Sequence, residues 1–374
     1  MKKIITSLLL MLGSFFCFSQ ELTQPPSGDN QHSTISQNIG LVKVTIDYNS
    51  PNVHGAQGED RTGHIWGELV HYGFIDQGFG TSKAAPWRAG SNENTTITFS
   101  HDVKVGGKDI KSGTYGVFLD VEKEGEWNWI FSNNSTSWGS YTYDAKEDAL
   151  RVPANAVEAP FTEWLTYGFD DRGPSSATAY LQWEKKRVPF KIEVPNVNEL
   201  YVAEMRKELR AYTGFNYQNW ASAAQFCVLH KVNLNEALTW ADAAVSMPFI
   251  GVENFNTLQT KSMVLDALGK TAEADASMDK AIKHPTATVQ SIHQYGRTLL
   301  AAGKKEKALE VFKLNKQLNP KDTFTTYVGL ARGYTALGDK KNGIKNWEIV
   351  IKNLPADQKG NLKFYEGELA KLKG

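Results

Sequence analysis

The second half of the sequence repeats itself every 34 or 35 residues, and this period restricts the fold more than any other feature of the chain. A glycine is followed five positions later by a small residue and four positions after that by a large apolar residue, and a proline closes each unit. The period is typical of stacked helix pairs, because two helices approach closely only where one carries a small residue. The repeated positions are Gly269, Gly303 and Gly338; Ala237, Ala274, Ala308 and Gly343; Met278, Phe312 and Trp347; and Pro248, Pro285, Pro320 and Pro355.

Four such units predict an all-helical domain over residues 196–374. The units are residues 218–251, 255–288, 289–322 and 324–357, and helices are predicted to flank them at 197–212 and 362–373. In the first unit, Val232-Asn233 replaces the glycine between the helices. The third unit resembles the tetratricopeptide repeat family at Tyr295-Gly296, Gly303, Ala308, Phe312 and Pro320.

The resemblance implies a concave surface that binds a peptide or protein segment. Arg297 and Arg332 each lie eleven residues before the equivalent small positions Ala308 and Gly343, so they would stack into one basic stripe. Such a stripe suits an acidic segment or a C-terminal carboxylate. The alternatives are two solvated arginines, and an array that only packs on the other half of the chain. The other polar side chains predicted to line this groove are Asn256, Gln259, Gln290 and His293.

The first half of the chain has a period of two residues. Val42, Val44 and Ile46 alternate with polar residues, and similar runs occupy 95–99, 114–121, 127–132, 162–169, 177–184 and 188–194. Short strands separated by glycine-rich turns predict an antiparallel β-sandwich or jelly roll over residues 34–195, after a flexible leader at 20–33. The predicted fold class is therefore α+β in separate domains, with a β-sandwich followed by an all-α solenoid.

A long polar segment, residues 50–93, interrupts the strand pattern, and long ordered loops are where binding residues concentrate. The most distinctive residues in and around it are Tyr48, Ser50-Pro51, Arg61, Gly67, Trp87-Arg88, Gly90, Asn92-Glu93, Gly113-Thr114-Tyr115 and Trp127. This set resembles domain of unknown function family 2911, whose pattern centres on W-R-x-G-x-N-E. The resemblance implies an exported protein and carries no established activity.

Five residues of this half are candidates for a ligand pocket: Arg61, Trp87, Arg88, Asn92 and Glu93. The guanidinium of Arg88 would hold a carboxylate or phosphate, and Glu93 would position the ligand or act as a base. The alternative is that Arg88 and Glu93 pair with each other and satisfy backbone groups of the loop.

Two further groups of side chains suggest other chemistry. His64, Glu68 and His71 have the spacing of metal ligands on one helix face, but the glycines around them argue against a helix, so no metal or other cofactor is expected. Tryptophans at strand spacing belong to a core or supply flat faces for sugar rings. They are Trp127, Trp129, Trp138, Trp164 and Trp183.

The amino terminus has the pattern of a signal peptide over residues 1–19, with two lysines, an apolar stretch and a polar cleavage zone. Cleavage between Ser19 and Gln20 would place the protein in the periplasm or outside the cell, and lipid anchoring at Cys17 is the alternative. Only Cys227 would then remain, so no intramolecular disulfide is expected. No later segment is apolar enough to predict a membrane span.

The two halves of the chain have opposite net charges. Residues 20–194 contain 15 Lys and Arg against 23 Asp and Glu, whereas residues 195–374 contain 24 against 18. Because net charges of −8 and +6 attract, docking of the β half in the repeat groove is a further hypothesis. The modest positive charge, spread over helices, argues against nucleic acid as a partner.

The sequence contains no phosphate-binding loop, dinucleotide fingerprint, nucleophile elbow or cysteine pair. It therefore favours an exported binding or scaffold protein that recruits a protein partner through its repeats. The alternatives are a hydrolase or metal-dependent enzyme that uses the loop from Arg88 to Glu93, and a carbohydrate-binding module with an exposed tryptophan face.

Overall fold

The computed structural model describes residues 24–55 and 57–374. The predicted signal peptide, its cleavage position at Ser19 and the alternative lipid site at Cys17 lie outside these residues. The chain divides into two compact units between Val197 and Asn198, two residues beyond the division suggested by the sequence. None of the helices that the structure describes combines the length and apolar character that a membrane crossing needs.

The first unit consists of two antiparallel sheets, which confirms the predicted β class. A six-stranded sheet has the order β1-β2-β3-β6-β7-β8, and a four-stranded sheet has the order β5-β4-β10-β9. Short 3-10 helices lie at Ser27–Asp29 and Ala145–Glu147. The strands are β1 Gln31–Ile39, β2 Val42–Ser50, β3 Thr96–Phe99, β4 Val103–Val105, β5 Lys108–Ile110, β6 Gly113–Asp120, β7 Trp127–Ser132, β8 Asp148–Ala154, β9 Val157–Asp170 and β10 Ser176–Glu193.

Large aromatic side chains join the two sheets. Trp129 of β7 packs edge-on against Phe190 of β10, with ring centroids 5.0 Å apart. Tyr48 of β2 and Tyr167 of β9 have centroids 4.8 Å apart. Strands that bury one face and alternate in polarity along their length can only be stable in such a layered arrangement.

The structure corrects two details of the predicted β unit. Strand β1 begins at Gln31, inside the segment predicted as leader, and pairs with β2 along nine residues. Its side chains are mostly polar and exposed because it lies at a sheet edge, so it lacks an apolar alternation. The runs at 177–184 and 188–194 form one strand, whose register against β9 shifts between Gln182 and Glu184 and again between Glu184 and Lys186.

The second unit is a run of ten helices that form four antiparallel pairs between flanking helices, as predicted. The pairs are α2 with α3, α4 with α5, α6 with α7, and α8 with α9, and 3-10 turns lie at Tyr212–Phe215 and Ala356–Asn361. The helices are α1 Val197–Glu208, α2 Tyr217–His230, α3 Leu234–Ser246, α4 Phe255–Ala267, α5 Thr271–Lys283, α6 Val289–Ala301, α7 Lys305–Leu318, α8 Thr325–Ala336, α9 Lys340–Lys352 and α10 Leu362–Lys373.

A left-handed backbone conformation reverses the chain within each pair. Gly269, Gly303 and Gly338 have φ of +75°, +76° and +76°, a region that glycine enters without the steric penalty of a Cβ atom. The first pair lacks this glycine, and Lys231 and Asn233 adopt φ of +56° and +47° instead. A Cβ at any of the three glycines would meet no atom within 4 Å, so backbone conformation and not space requires glycine there.

The large residue of the repeat motif packs against backbone from neighbouring helices. Phe312 is fully buried, and a Cβ on Gly296 of α6 or Gly329 of α8 would lie 2.3 or 2.5 Å from one of its ring carbons. The missing side chains therefore create the space that the ring fills. This contact joins α6, α7 and α8, and thus links two adjacent units of the array.

We predict that Gly296→Ala destabilises the protein by about 1–3 kcal/mol, because the added methyl overpacks against the ring of Phe312. Gly367→Ala is the matched control, since Gly367 lies within α10 with no atom near the new methyl. That change should stabilise the protein by up to about 1 kcal/mol through helix propensity. Urea unfolding followed by far-ultraviolet circular dichroism measures both.

Phe312→Leu in the Gly296→Ala background should recover part of the lost stability, because the smaller side chain makes room for the methyl. Equal stability of Gly296→Ala and the parent protein would contradict the packing described for this contact.

Candidate functional site

Trp87, predicted to face a ligand, belongs to the core of the β unit. It is 8% exposed and stacks on Trp183 with ring centroids 6.2 Å apart, while Trp66 meets it edge-on at 5.7 Å. Its backbone pairs with Leu119 of β6, which fixes the start of the following loop. Trp127 and Trp129 are buried as well. Trp87, Trp127, Trp129 and Trp183 therefore stabilise the unit, and only Trp138 and Trp164 of the predicted aromatic set are exposed.

Arg88 is bound within its own loop. Its Nη1 donates to the carbonyl oxygen of Asn92 at 2.6 Å, and its guanidinium lies 4.6 Å from the ring centre of Tyr141. A Cβ on Gly139 would lie 2.2 Å from the guanidinium carbon, so glycine is required for this approach. The guanidinium on which the hydrolase hypothesis depends thus donates to a carbonyl of its own loop and packs on an aromatic ring.

Glu93 does not pair with Arg88, which corrects one of the two alternatives drawn from the sequence. Its Oε2 accepts a hydrogen bond from Nδ2 of Asn49 at 2.7 Å, and no ion pair within the described residues joins it to Arg88. Arg61 lies near Glu59 instead, with 3.6 Å between Nη2 and Oε1. The five predicted pocket residues therefore do not converge on one ligand.

A groove of about 560 Å³ is lined by two of the five predicted pocket residues, Asn92 and Glu93. We call it the Trp138 groove. Residues 24–27 form part of its wall, and the Nδ2 of Asn92 donates to the carbonyl oxygen of Ser27 at 3.2 Å. Neither Trp87 nor Arg88 lines it. Its other side chains are His32, Asn49, Asn92, Glu93, Asn94 and Trp138.

The metal site considered for His64, Glu68 and His71 is not assembled. His64 Nδ1 and Glu68 Oε1 are 2.8 Å apart on the surface, whereas His71 donates from Nδ1 to the carbonyl oxygen of Gly73 at 2.9 Å. In residues 24–55 and 57–374, no group of three His, Cys, Asp or Glu side chains is placed to hold a metal ion.

The helical unit contains a second concave site, a cleft of about 480 Å³ that we call the Arg297–Arg332 cleft. Helix α6 contributes Gln290, His293 and Arg297, and α8 contributes Arg332, so four of the six predicted groove residues lie together. Asn256 and Gln259, on α4, do not line it. Sequence reasoning missed the far wall, which includes Asn361, Phe364 and Tyr365, because the position of the flanking helix α10, which packs against α9, has no signal in the repeat pattern.

Two cationic side chains, Arg297 and Arg332, line the cleft together with one carboxylate, that of Asp357. His293 is 7% exposed, and its Nδ1 has no hydrogen-bond partner. Arg332 has a buried Nε that is likewise without a partner, and its guanidinium lies 5.3 Å from the ring centre of Phe364. No ion pair within the described residues involves Arg297 or Arg332. Unpaired buried polar groups are costly, so this arrangement favours binding of an anion.

The same surroundings affect the protonation of His293. Burial, followed by the charges of Arg332 and Arg297, lowers the pKa of His293 to about 4. Burial and the neighbouring Arg297 also lower the pKa of Arg332. The imidazole is therefore neutral at pH 7 and can serve as a hydrogen-bond partner beside two cationic side chains.

We predict that this histidine makes stability depend on pH. The pKa of His293 is about 4 in the folded chain and about 6.5 in the unfolded chain. Between these two pH values the unfolded chain binds a proton at this histidine, whereas the folded chain does not. Stability is fully present above about pH 6.5 and falls by about 3 kcal/mol as the pH drops to about 4.

His293→Gln should remove this part of the pH dependence, whereas His230→Gln, at an exposed position, should leave it unchanged. Urea unfolding in a series of buffers measures both slopes. If stability depended on pH in His293→Gln as it does in the parent protein, the assignment of this pH dependence to His293 would be wrong.

We also predict that Arg88 and Glu93 act independently on stability. Arg88→Ala should cost about 1–3 kcal/mol because it leaves the Asn92 carbonyl without its donor, and Glu93→Gln should cost less than about 0.5 kcal/mol because an amide oxygen still accepts from Asn49. The double variant should equal the sum within about 0.5 kcal/mol. Unfolding followed by tryptophan fluorescence reports mainly on the β unit, and a larger coupling would show that the two side chains interact.

Known proteins resemble each of the two units separately. Residues 30–192 match the model of a family described as "Protein of unknown function (DUF2911)". No curated protein matches the chain. Among solved structures, a tetratricopeptide repeat protein from Parabacteroides merdae is 19% identical over 47% of this chain and 68% of that chain, with a TM-score of 0.31.

MamA from Desulfovibrio magneticus is 19% identical over 42% of this chain and 93% of its own, with a TM-score of 0.28. A thermophilic TPR protein in Thermus thermophilus is 15% identical over 46% and 91%, with a TM-score of 0.31. The four helix pairs, rather than these distant similarities, establish the repeat architecture. The chain therefore carries a DUF2911 domain followed by tetratricopeptide-type helical repeats.

Proposed function

We propose that this is an exported, non-enzymatic binding protein of the cell envelope whose helical repeats hold an acidic segment of a partner protein in the Arg297–Arg332 cleft. The observation that carries the proposal is the convergence of Arg297, Arg332 and His293 in a cleft where neither arginine forms an ion pair with a described residue and where Nε of Arg332 has no partner. The signal-like amino terminus supports export to the periplasm or beyond.

The geometry of the cleft suits a carboxylate. Arginine presents a planar fork of donors that matches the two oxygens of a carboxylate group, and Arg297 and Arg332 lie one repeat apart on adjacent helices. Bringing these two charges close together raises the free energy of the empty cleft, because each disfavours the other. An anion between them offsets that repulsion and satisfies the buried Nε of Arg332.

The remaining walls suit a peptide. Phe324 and Phe364 offer apolar contacts at the rim, and the amides of Gln290 and Gln294 can donate to and accept from a peptide backbone. A free inorganic anion would use the arginines and leave these groups without a role. A segment that ends in, or contains, acidic residues uses both.

The test is binding of a library of fluorescent peptides with acidic carboxyl ends, each made with a free and an amidated carboxyl terminus. We expect selected peptides to lose at least about tenfold in affinity to the Arg297→Gln, Arg332→Gln double variant. Arg210→Gln, the same change at an exposed arginine of the helical unit, should have no effect. Peptides that bind the double variant as tightly as the parent protein would contradict the proposal, and the amidated series shows whether the terminus or the side chains are recognised.

Docking of the β half in the cleft is the competing occupant, since its net charge is negative. Residues 196–374 alone should then bind the selected peptide more tightly than the full chain, and the difference should shrink as salt is raised from about 0.05 to 0.5 M. If residues 196–374 and the full chain bound the peptide equally well at low salt, docking of the β half in the cleft would be contradicted, but the peptide site would not.

A further inference from the structure

We infer that the β domain has a binding site of its own, the Trp138 groove, and that its ligand is a neutral saccharide. This inference is independent of the function proposed for the repeats. It depends on an exposed indole that lines a groove of about 560 Å³ together with amide and carboxylate side chains. This volume is within the range of about 300–1,000 Å³ that small-molecule sites occupy.

Trp138 differs from the core tryptophans in how much of its side chain is exposed to solvent. It is 57% exposed, whereas Trp87, Trp127, Trp129 and Trp183 are at most 8% exposed. An indole left in water forfeits apolar burial, which a ligand with an apolar face restores. The C–H face of a pyranose ring is such a surface, and its hydroxyl groups point outward from the ring edge.

Two hydrogen bonds of Asn134 hold the loop that carries Trp138, one to Asn94 of the groove and one to Glu147 outside it. The carbonyl oxygen of Asn134 accepts from Nδ2 of Asn94 at 3.3 Å, and Nδ2 of Asn134 donates to Glu147 at 3.1 Å. A Cβ on Gly116 would lie 2.6 Å from Nδ2 of Asn94, so glycine leaves room for this bridge. The platform and the polar wall are therefore positioned together before a ligand arrives.

The polar wall retains unused hydrogen-bonding capacity. Asn94 is 8% exposed, and its Oδ1 is buried without a hydrogen-bond partner. Glu93 is exposed and uses Oε2 for the amide of Asn49, which leaves Oε1 for another donor. Buried polar atoms are normally satisfied, so the free Oδ1 of Asn94 is an acceptor for a donor from outside the chain.

A strained turn presents these side chains to the groove. Ala89 and Asn92 have φ of +50° and +53°, a conformation that residues with a Cβ rarely adopt. Thr95 and the buried Tyr167 both donate to the carbonyl oxygen of Ala89, at 3.2 and 2.8 Å, and hold the turn in place. Strain maintained by surrounding contacts is typical of binding sites.

The charge of the groove selects the chemical class of the ligand. No lysine or arginine lines it, so a phosphate or carboxylate would find no cation to bind. Glu93 is the only acidic side chain in its lining, which is too few oxygen ligands for a metal ion. Hydroxyl groups both donate and accept, and they match the carboxylate, the amides and His32. A single carboxylate indicates binding rather than glycoside hydrolysis, which uses a pair.

The test uses the full chain and four neutral probes: cellopentaose, mannopentaose, xylopentaose and chitopentaose. We expect at least one to bind with a Kd below about 1 mM by calorimetry. In protein labelled with nitrogen-15 tryptophan, the indole resonance that is missing from Trp138→Phe should shift on titration. Trp138→Ala should weaken binding at least about tenfold.

Matched variants separate binding from folding. Trp164→Ala removes an indole that is 41% exposed but does not line the groove, so it should bind as the parent does. Glu93→Gln, a conservative change on the surface, should weaken binding severalfold without unfolding the domain. Failure of all four probes to saturate the protein at about 10 mM, or binding that leaves the Trp138 resonance unmoved, would overturn the inference.

Discussion

Within each half of this protein, large or polar side chains pack against glycine backbone, and these contacts fix the local structure. In the helical half, Phe312 fills space that Gly296 leaves open, and this contact connects neighbouring repeats. In the β half, Gly116 allows the hydrogen bond between Asn94 and Asn134 that positions the Trp138 groove. The described residues contain one cysteine, which is free. Stability and site geometry therefore depend on close noncovalent packing, in which one added methyl group has a large effect.

Arginines of the two halves show why residue type alone does not identify a binding site. Arg88 donates to a carbonyl oxygen and packs on the ring of Tyr141, so both contacts lie within its own fold. Arg297 and Arg332 form no ion pair with the residues that the structure describes, although Asp357 lines the same cleft. The charges of the two arginines act on each other and on His293. The first arrangement stabilises a loop, whereas the second leaves electrostatic free energy that a bound anion can release. A structural role differs from a binding role in whether the protein itself supplies partners for the side chain, and the residue type alone does not reveal this.

The sequence predicted the candidate sites only in part. The repeat register placed Arg297 and Arg332 together, because equivalent positions in stacked units must be neighbours. It could not add Phe364, since α10 lies outside the repeat. In the β half the segment from Trp87 to Glu93, which the sequence predicted as one pocket, divides between core and surface. Trp87 enters the core and Glu93 lines the groove, because the strained turn between them sends their side chains in different directions.

Consecutive residues by themselves determined the two fold classes, the four helix pairs and the turns within three of them, because helical period, strand alternation and the positive φ of Gly303 are local properties. Tertiary structure alone decided that polar β1 is a strand, that Asn49 rather than Arg88 contacts Glu93, and that Trp138 lies exposed opposite Asn94. Each of these facts depends on the register and packing of segments far apart in the chain. Those contacts are chosen by the burial and hydrogen bonding of the whole domain, for which a local pattern contains no information.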